Sequence, residues 1–264
     1  MPRGTKKTPK KKPRAGKPRK ATVRKRRSSV DYAKVPKQFE PMFARAQDFV
    51  SNYFADLKGD ASKGTIEAGG ERYLLVRAAS MSVDFFKTIK DLYKGVGEEE
   101  ALDIARNLLF DIAHSIGKAD AKSFHKKMKL DDPVDRLSAG PIHFAYSGWA
   151  FVDIFPESRP TPDENYYLVY DHPYSFESAA WLKAKKKSSC PVCTMNAGYS
   201  SGWCEESFGV TLVAKEIMCK AAGDEACRFI MAPPSKIEAH IQKYLQEKAG
   251  AAQEIRRIRD AGLF

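Results

Sequence analysis

Residues 190–227 read CPVCTMNAGYSSGWCEESFGVTLVAKEIMCKAAGDEAC, and they hold every cysteine of the 264-residue chain: Cys190, Cys193, Cys204, Cys219 and Cys227. Such clustering calls for one local cause: a disulfide, a metal site or a reactive thiol. The N-terminus is basic and no apolar segment follows it, so it does not read as a secretory signal. A cytoplasmic chain is expected, where clustered cysteines bind metal more often than they pair. Cys219 and Cys227 flank KAAGDEA, whose Gly-Asp marks a tight turn. The runs VTLVAKEIMC and CRFIMA on either side are β-branched and apolar, so the spacing predicts a hairpin with one thiol on each side of its mouth. Two thiolates placed this way suit tetrahedral zinc, given further ligands from elsewhere. The spacing is not that of a zinc finger, since the single CxxC has no second pair. Buried structural thiols remain the other reading of the same residues.

The runs GYSSGWC, FG and KEIMCKAAGDEACRF resemble the 4-vinyl-reductase-type small-molecule-binding domain. More closely, they resemble the N-terminal sensor domain of bacterial activators of aromatic catabolism. The resemblance extends more weakly upstream to about Gly64. It leaves out the first sixty residues or so and the last twenty-five. It implies a structural zinc ion held by Cys193, Glu216, Cys219 and Cys227, with Cys190 and Cys204 outside the shell and Cys190 the alternative to Cys193. Glu216 and Cys219 are three residues apart and would face opposite sides of a regular strand. The strand must therefore twist, bulge or end between them.

The same resemblance implies a pocket for a small aromatic or hydrophobic ligand. In that family a histidine on the first strand of this region and a tryptophan three residues before a Ser-Phe-Glu serine hold a phenol. His143 lies near the first position, whereas His172 stands where the tryptophan would be, before Ser175. Imidazole is smaller than indole and titrates, so a ligand other than a simple phenol is expected. Aromatic residues are concentrated between 143 and 208. The expected lining is His143, Phe144, Trp149, His172, Phe176, Tyr199 and Trp203. The plain alternative is that these side chains fill a solid core.

The net charge is +12, yet residues 1–29 alone contain fourteen Lys or Arg and no acid, which leaves −2 for the rest. This stretch is rich in Pro and Gly and poor in large apolar residues. It is expected to be disordered. A block of one sign suits a polyanion, so Lys10, Lys11, Lys12, Arg24, Lys25, Arg26 and Arg27 are candidate contacts to DNA or RNA. An anionic membrane surface or a solubilising role are the alternatives. No apolar run approaches the length of a membrane span.

The remaining chain reads as α+β: an antiparallel sheet with helices packed on it, a zinc-stapled β-hairpin and a disordered basic N-terminal tail. Five segments are expected. These are the tail (1–29), an N-terminal helix and candidate homodimer contact (36–62), the first half of the sensor domain (64–139), its ligand- and zinc-binding half (140–234), and a C-terminal helix (235–264). Within the third segment, GTIEAGGERYLLVRA predicts two strands about Gly69-Gly70. Leu102, Ala105, Leu108, Leu109, Ile112, Ala113 and Ile116 give a helix with a wide apolar stripe. GPIHFAYSGWAFVDI, residues 140–154, alternates in part and reads as a strand. His114 and His125 read as surface or packing residues. Gly59 to Thr65 lacks the lysine of a phosphate-binding loop.

Three functions compete. The first is a non-enzymatic ligand-binding sensor without ATPase or helix-turn-helix modules. The second is an enzyme or accessory protein of the 4-vinyl reductase type. The third is a nucleic-acid-associated protein acting through its tail. No dinucleotide fingerprint supports the second.

Overall fold

The computed structural model describes residues 30–260. The basic stretch with its Lys10 to Arg27 contacts lies outside the described residues. In chain order the elements are β1 (Ala33–Lys34), α1 (Glu40–Ala55), β2 (Lys58–Asp60), β3 (Thr65–Ala68) and β4 (Glu71–Tyr73). Then come α2 (Val83–Leu92), α3 (Glu98–Met128), α4 (Pro133–Tyr146), β5 (Val152–Ile154) and β6 (Leu168–Asp171). The last are α5 (Phe176–Lys183), α6 (Thr194–Phe208), β7 (Val213–Met218), β8 (Arg228–Ala232) and α7 (Ile237–Asp260).

The expected mixture of helices and antiparallel strands is present. The main sheet has five strands in the order β1-β5-β6-β8-β7, and only the edge pair β1–β5 is parallel. Alternate residues of β6 and β8 serve two cores. Leu168, Tyr170, Phe229 and Met231 face the main core, while Val169, Ile230 and Ala232 pack with Ile237, Ile241 and Tyr244 of α7. Arg228 clamps this second layer: its guanidinium donates to both carboxylate oxygens of Asp171 at 2.7 and 2.8 Å and to the Tyr244 hydroxyl at 2.8 Å. The strands β2, β3 and β4 form a separate antiparallel meander, which adds one strand to the two expected about Gly69-Gly70.

Helix α3 buries Ala101, Leu102, Ala105, Leu109, Ala113, Gly117, Ala121 and Phe124. Leu108, Ile112 and Ile116, read from the sequence as part of the same stripe, are exposed. The reason is the closeness of α6. A Cβ added at Gly117, Gly198 or Gly202 would overlap a backbone carbonyl oxygen of the facing helix, that of Tyr199, Phe110 or His114 respectively. Backbones this close leave a narrow seam of small residues, and the edge of the wide stripe falls outside it. Helix α1 turns Phe43, Ala46, Val50 and Tyr53 inward and packs mainly on α4.

The strand expected over 140–154 is corrected. Its first half is the end of α4, and only Val152–Ile154 is β. Asp132 caps that helix, its Oδ1 accepting from the Val134 and Asp135 amides at 2.9 and 3.0 Å, and Pro133 fits the first turn. Residues 137–144 are all buried, so the helix is apolar all round and carries no amphipathic period to read. His143 is therefore a helical residue, and the expected segment boundary at 139/140 falls inside α4.

Candidate functional site

The hairpin β7–β8 forms as its turn chemistry predicts, and its register shifts between Glu216 and Met218. That irregularity is what the three-residue spacing of Glu216 and Cys219 demands. Cys193 enters from the N-cap position of α6, Cys219 follows β7, and Cys227 precedes β8. One ligand atom from each of Cys193, Glu216, Cys219 and Cys227 lies within 4.8 Å of the other three, a set that can hold a metal ion. The three cysteines are fully buried. Cys190 and Cys204 stand apart: Cys190 lies against Ser188, with the Ser188 hydroxyl accepting from its amide at 3.2 Å, and Cys204 is buried in the main core. All five thiols are free.

The second donor layer is also built. The Cys193 amide donates to Glu216 Oε2 at 2.8 Å, and the Ser175 hydroxyl lies 3.1 Å from Cys193 Sγ. The Asp224 carboxylate accepts from the Cys219 amide at 2.7 Å and fixes the turn. Burial pushes the Cys193 thiol up and Glu216 up to about 8, while thiol hydrogen bonds from Cys193 and Cys219 hold Cys227 down. Glu216 Oε1 has no hydrogen-bond partner among the described residues. A cleft of about 440 Å³ lined by Arg106, Phe110, Thr194 and Lys215 reaches Cys193 and Glu216. Glu177, read from the sequence only as a first-turn residue of α5, is fully buried and accepts from the Met195 and Asn196 amides at 3.0 and 2.9 Å. It ties the start of α5 to the start of α6 beside the cluster.

A cavity of about 620 Å³ opens between the β3–β4 turn region, α3 and α4. His143, Trp149 and Phe176 of the expected lining stand on its walls, with Tyr53, Tyr73, Asp120, Phe124 and Met195. Phe144, Tyr199 and Trp203 line a void of about 30 Å³ behind it, room for a water or two and not for a ring. His172 lines neither space. It is fully buried against Phe144, Tyr170 and Phe229, and neither ring nitrogen has a partner among the described residues. Gly140 lets Trp203 lie on the α4 backbone, where a Cβ would sit 2.8 Å from the indole.

His143 carries the polar chemistry of the cavity. Its Nδ1 is 2.8 Å from the Tyr199 hydroxyl, which donates to Asp120 Oδ2 at 2.9 Å. Its Nε2 is 3.5 Å from the Tyr73 hydroxyl, itself 3.2 Å from that of Tyr53. Burial, reinforced by the Lys127 ammonium, holds His143 down at about 3, so the ring is neutral. Burial likewise pushes Asp120 up to about 6, against the pull of its Tyr199 hydrogen bond. Asp120, Tyr53 and Tyr73 were not picked out from the sequence. His114 and His125 are indeed packing residues, against Phe110 and Trp203.

Two family models match the chain: activator of aromatic catabolism over residues 54–156, and the 4-vinyl-reductase domain over residues 173–233. The chain therefore carries a 4-vinyl-reductase domain behind an aromatic-catabolism activator region, as the cysteine motif implied. The phenol regulator MopR of Acinetobacter guillouiae is 27% identical over 179 residues, which cover 68% of this chain and 30% of that protein. The transcriptional regulatory protein XylR of Pseudomonas putida is 23% identical over 170 residues, which cover 64% of this chain and 29% of that protein. The match thus spans less than a third of the length of these curated relatives. Among solved structures, the phenol-responsive sensory domain of the transcription activator PoxR superposes with a TM-score of 0.62 at 22% identity, covering 76% of this chain and 98% of that one. That likeness establishes the fold. Among the described residues no helix is long and apolar enough to cross a membrane.

Proposed function

We propose that this chain is a non-enzymatic sensor module that binds a small aromatic compound in the 620 Å³ cavity beside His143. The cavity carries the reading. Its volume falls within the roughly 300–1,000 Å³ typical of ligand sites, and its walls are mostly apolar with a few convergent polar groups. The names of its relatives, a phenol regulator and a transcriptional regulator, point the same way. In this reading His143, Trp149 and Phe176 touch the ligand. Phe144, His172, Tyr199 and Trp203 form the layer behind, where the small void and the unpartnered nitrogens of His172 leave scope to repack around a larger compound. A thermal-shift series with phenol, toluene, 2-naphthol and a tetrapyrrole tests it. A compound at a hundred times its Kd stabilises by about 2.7 kcal/mol. That corresponds to roughly 5–10 °C for a domain of this size. The shift should shrink in His143→Ala. No shift with any class overturns the reading.

The metal in this proposal is zinc, held by Cys193, Glu216, Cys219 and Cys227. A tetrahedral shell with Zn–S bonds of ~2.3 Å spaces its sulfurs ~3.8 Å apart, and Cys193 Sγ and Cys227 Sγ lie 3.7 Å apart. The orphaned Glu216 Oε1 fits a carboxylate awaiting a cation. Zinc would staple the β7–β8 hairpin to α6. The basic stretch 1–29 supports a second role, attachment to DNA or RNA, on its charge alone. A homodimer belongs to the same reading, with the exposed Leu75, Leu108 and Ile112 offering an apolar surface for a second copy.

A further inference from the structure

We propose that Asp120 and Tyr199 are positioning residues that hold His143 Nε2 as a hydrogen-bond acceptor toward the cavity, so that the site selects aromatic compounds bearing a hydroxyl or N–H donor. This deepens the sensor reading and its selectivity clause rests on it.

The argument is a count of protons. Tyr199 has one hydroxyl proton and two neighbours that want it, Asp120 Oδ2 at 2.9 Å and His143 Nδ1 at 2.8 Å. An ionised carboxylate can only accept, so the proton goes to Asp120. The Tyr199 oxygen is then left to accept, and Nδ1 must carry the ring proton to meet it. A neutral imidazole has one N–H, which leaves a lone pair on Nε2. Asp120 does not do this directly, since its Oδ2 is 4.0 Å from Nδ1. Tyr199 is the relay. On the cavity side, Nε2 meets only the Tyr73 hydroxyl, at 3.5 Å, the limit of a hydrogen bond. A ligand hydroxyl can take that place at a better distance. A carbonyl or ether oxygen would set two acceptors against each other.

The relay also has a reverse setting. Asp120 is pushed up to about 6 by burial, with the Glu71 charge adding to this and Lys127 opposing it. Around it stand Glu71 and Tyr73 of β4, Tyr53 of α1, Lys127 of α3, His143 of α4 and Tyr199 of α6. Lys127 is itself paired to Glu71 at 3.1 Å. When Asp120 gains a proton it can donate to the Tyr199 oxygen. Tyr199 then donates to Nδ1, and the ring proton moves to Nε2. The cavity would then present a donor.

The test reads the tautomer without any ligand. In ¹⁵N-labelled wild type at pH 7.5, long-range ¹H–¹⁵N correlation should show His143, assigned by its loss in His143→Gln, with a protonated Nδ1 and a bare Nε2. Asp120→Ala should invert this, and Asp120→Asn, whose Oδ1 still accepts, should keep it. If Asp120→Ala does not fold, lowering the pH of wild type from 7.5 to 5 should produce the same inversion. The binding arm compares 2-naphthol with its methyl ether. Wild type should favour the naphthol about fivefold to tenfold, the worth of one hydrogen bond, and Asp120→Ala should lose that preference. A protonated Nε2 in wild type, or no inversion in either Asp120→Ala or acid, overturns the proposal. If the tautomer is as stated and 2-naphthol does not bind, the relay stands and the selectivity clause falls with the sensor reading.

Discussion

Gly202→Ala tests whether the seam between α3 and α6 sets the geometry of both sites. Two opposed effects meet at this residue. Alanine in a helix interior gains about 1 kcal/mol over glycine in propensity. Against this, the new Cβ would press on the His114 carbonyl oxygen and the Lys118 amide, backbone atoms that cannot rotate away. The overlap is roughly 1 Å relative to an ordinary van der Waals contact. Relief requires α6 to move off α3, and overpacking of this kind costs about 1–3 kcal/mol, occasionally more. The contact here is with backbone in the most extensive helix pair of the molecule, so the upper end applies and the overpacking wins. A net loss of about 2 kcal/mol lowers Tm by roughly 4–8 °C for a domain of this size. The assay is thermal unfolding by circular dichroism, with Ser115→Ala on the exposed face of α3 as the control, expected to stay within about 0.5 kcal/mol of wild type. Because α6 also carries Cys193 and Tyr199, the variant should bind aromatic ligands more weakly. A Tm equal to or above that of wild type refutes the close seam, since the propensity gain would then stand alone.

The metal set is tested by zinc content per chain. Cys219→Ser should lose zinc, while Cys190→Ser and Cys204→Ser should keep one ion; full retention in Cys219→Ser removes the site, and loss in Cys190→Ser makes the CxxC pair the better ligand set. Deleting residues 1–29 should leave Tm nearly unchanged and abolish salt-sensitive binding to DNA or RNA. Binding that survives the deletion would place the basic site on the remaining residues.

The hairpin and its thiols were legible because each rests on local chemistry. A Gly-Asp turn between two β-branched runs forms a hairpin whatever packs on it, and Ser175 caps α5 as read, its hydroxyl accepting from the Ser178 amide at 3.5 Å. Gly209 ends α6 in a left-handed conformation, also as read. The spacing of Glu216 and Cys219 even required the irregularity that β7 contains. Helix α4 was not legible for the opposite reason. Period separates strand from helix only when one face is polar, and Leu137, Ile142, His143 and Phe144 are buried on every side. The signal that could have found it is Asp132-Pro133, a cap followed by a first-turn proline.

The cavity was half legible, and the missing half is its polar part. Aromatic residues cluster visibly in sequence, but Asp120, Tyr73 and Tyr53 come from three different elements and meet His143 only in the fold. Asp120 sits four residues before Phe124 in a helix whose carboxylates read as solvated surface. Nothing local marks it as the acid that faces inward. His172 shows the converse. The sequence marked it by its place before Ser175, yet the structure gives its ring apolar neighbours and no hydrogen bond. A buried imidazole without partners costs free energy on folding, of the order of 1–3 kcal/mol for the unmet groups. Burial holds it neutral at about 3, against the opposing Cys227 charge, so protonation does not relieve that cost near neutral pH. Its two nitrogens can be satisfied only by something that enters the layer between Phe144 and Phe229. The residue that departs from the family's tryptophan is thus also a place where this chain has most to gain from a ligand.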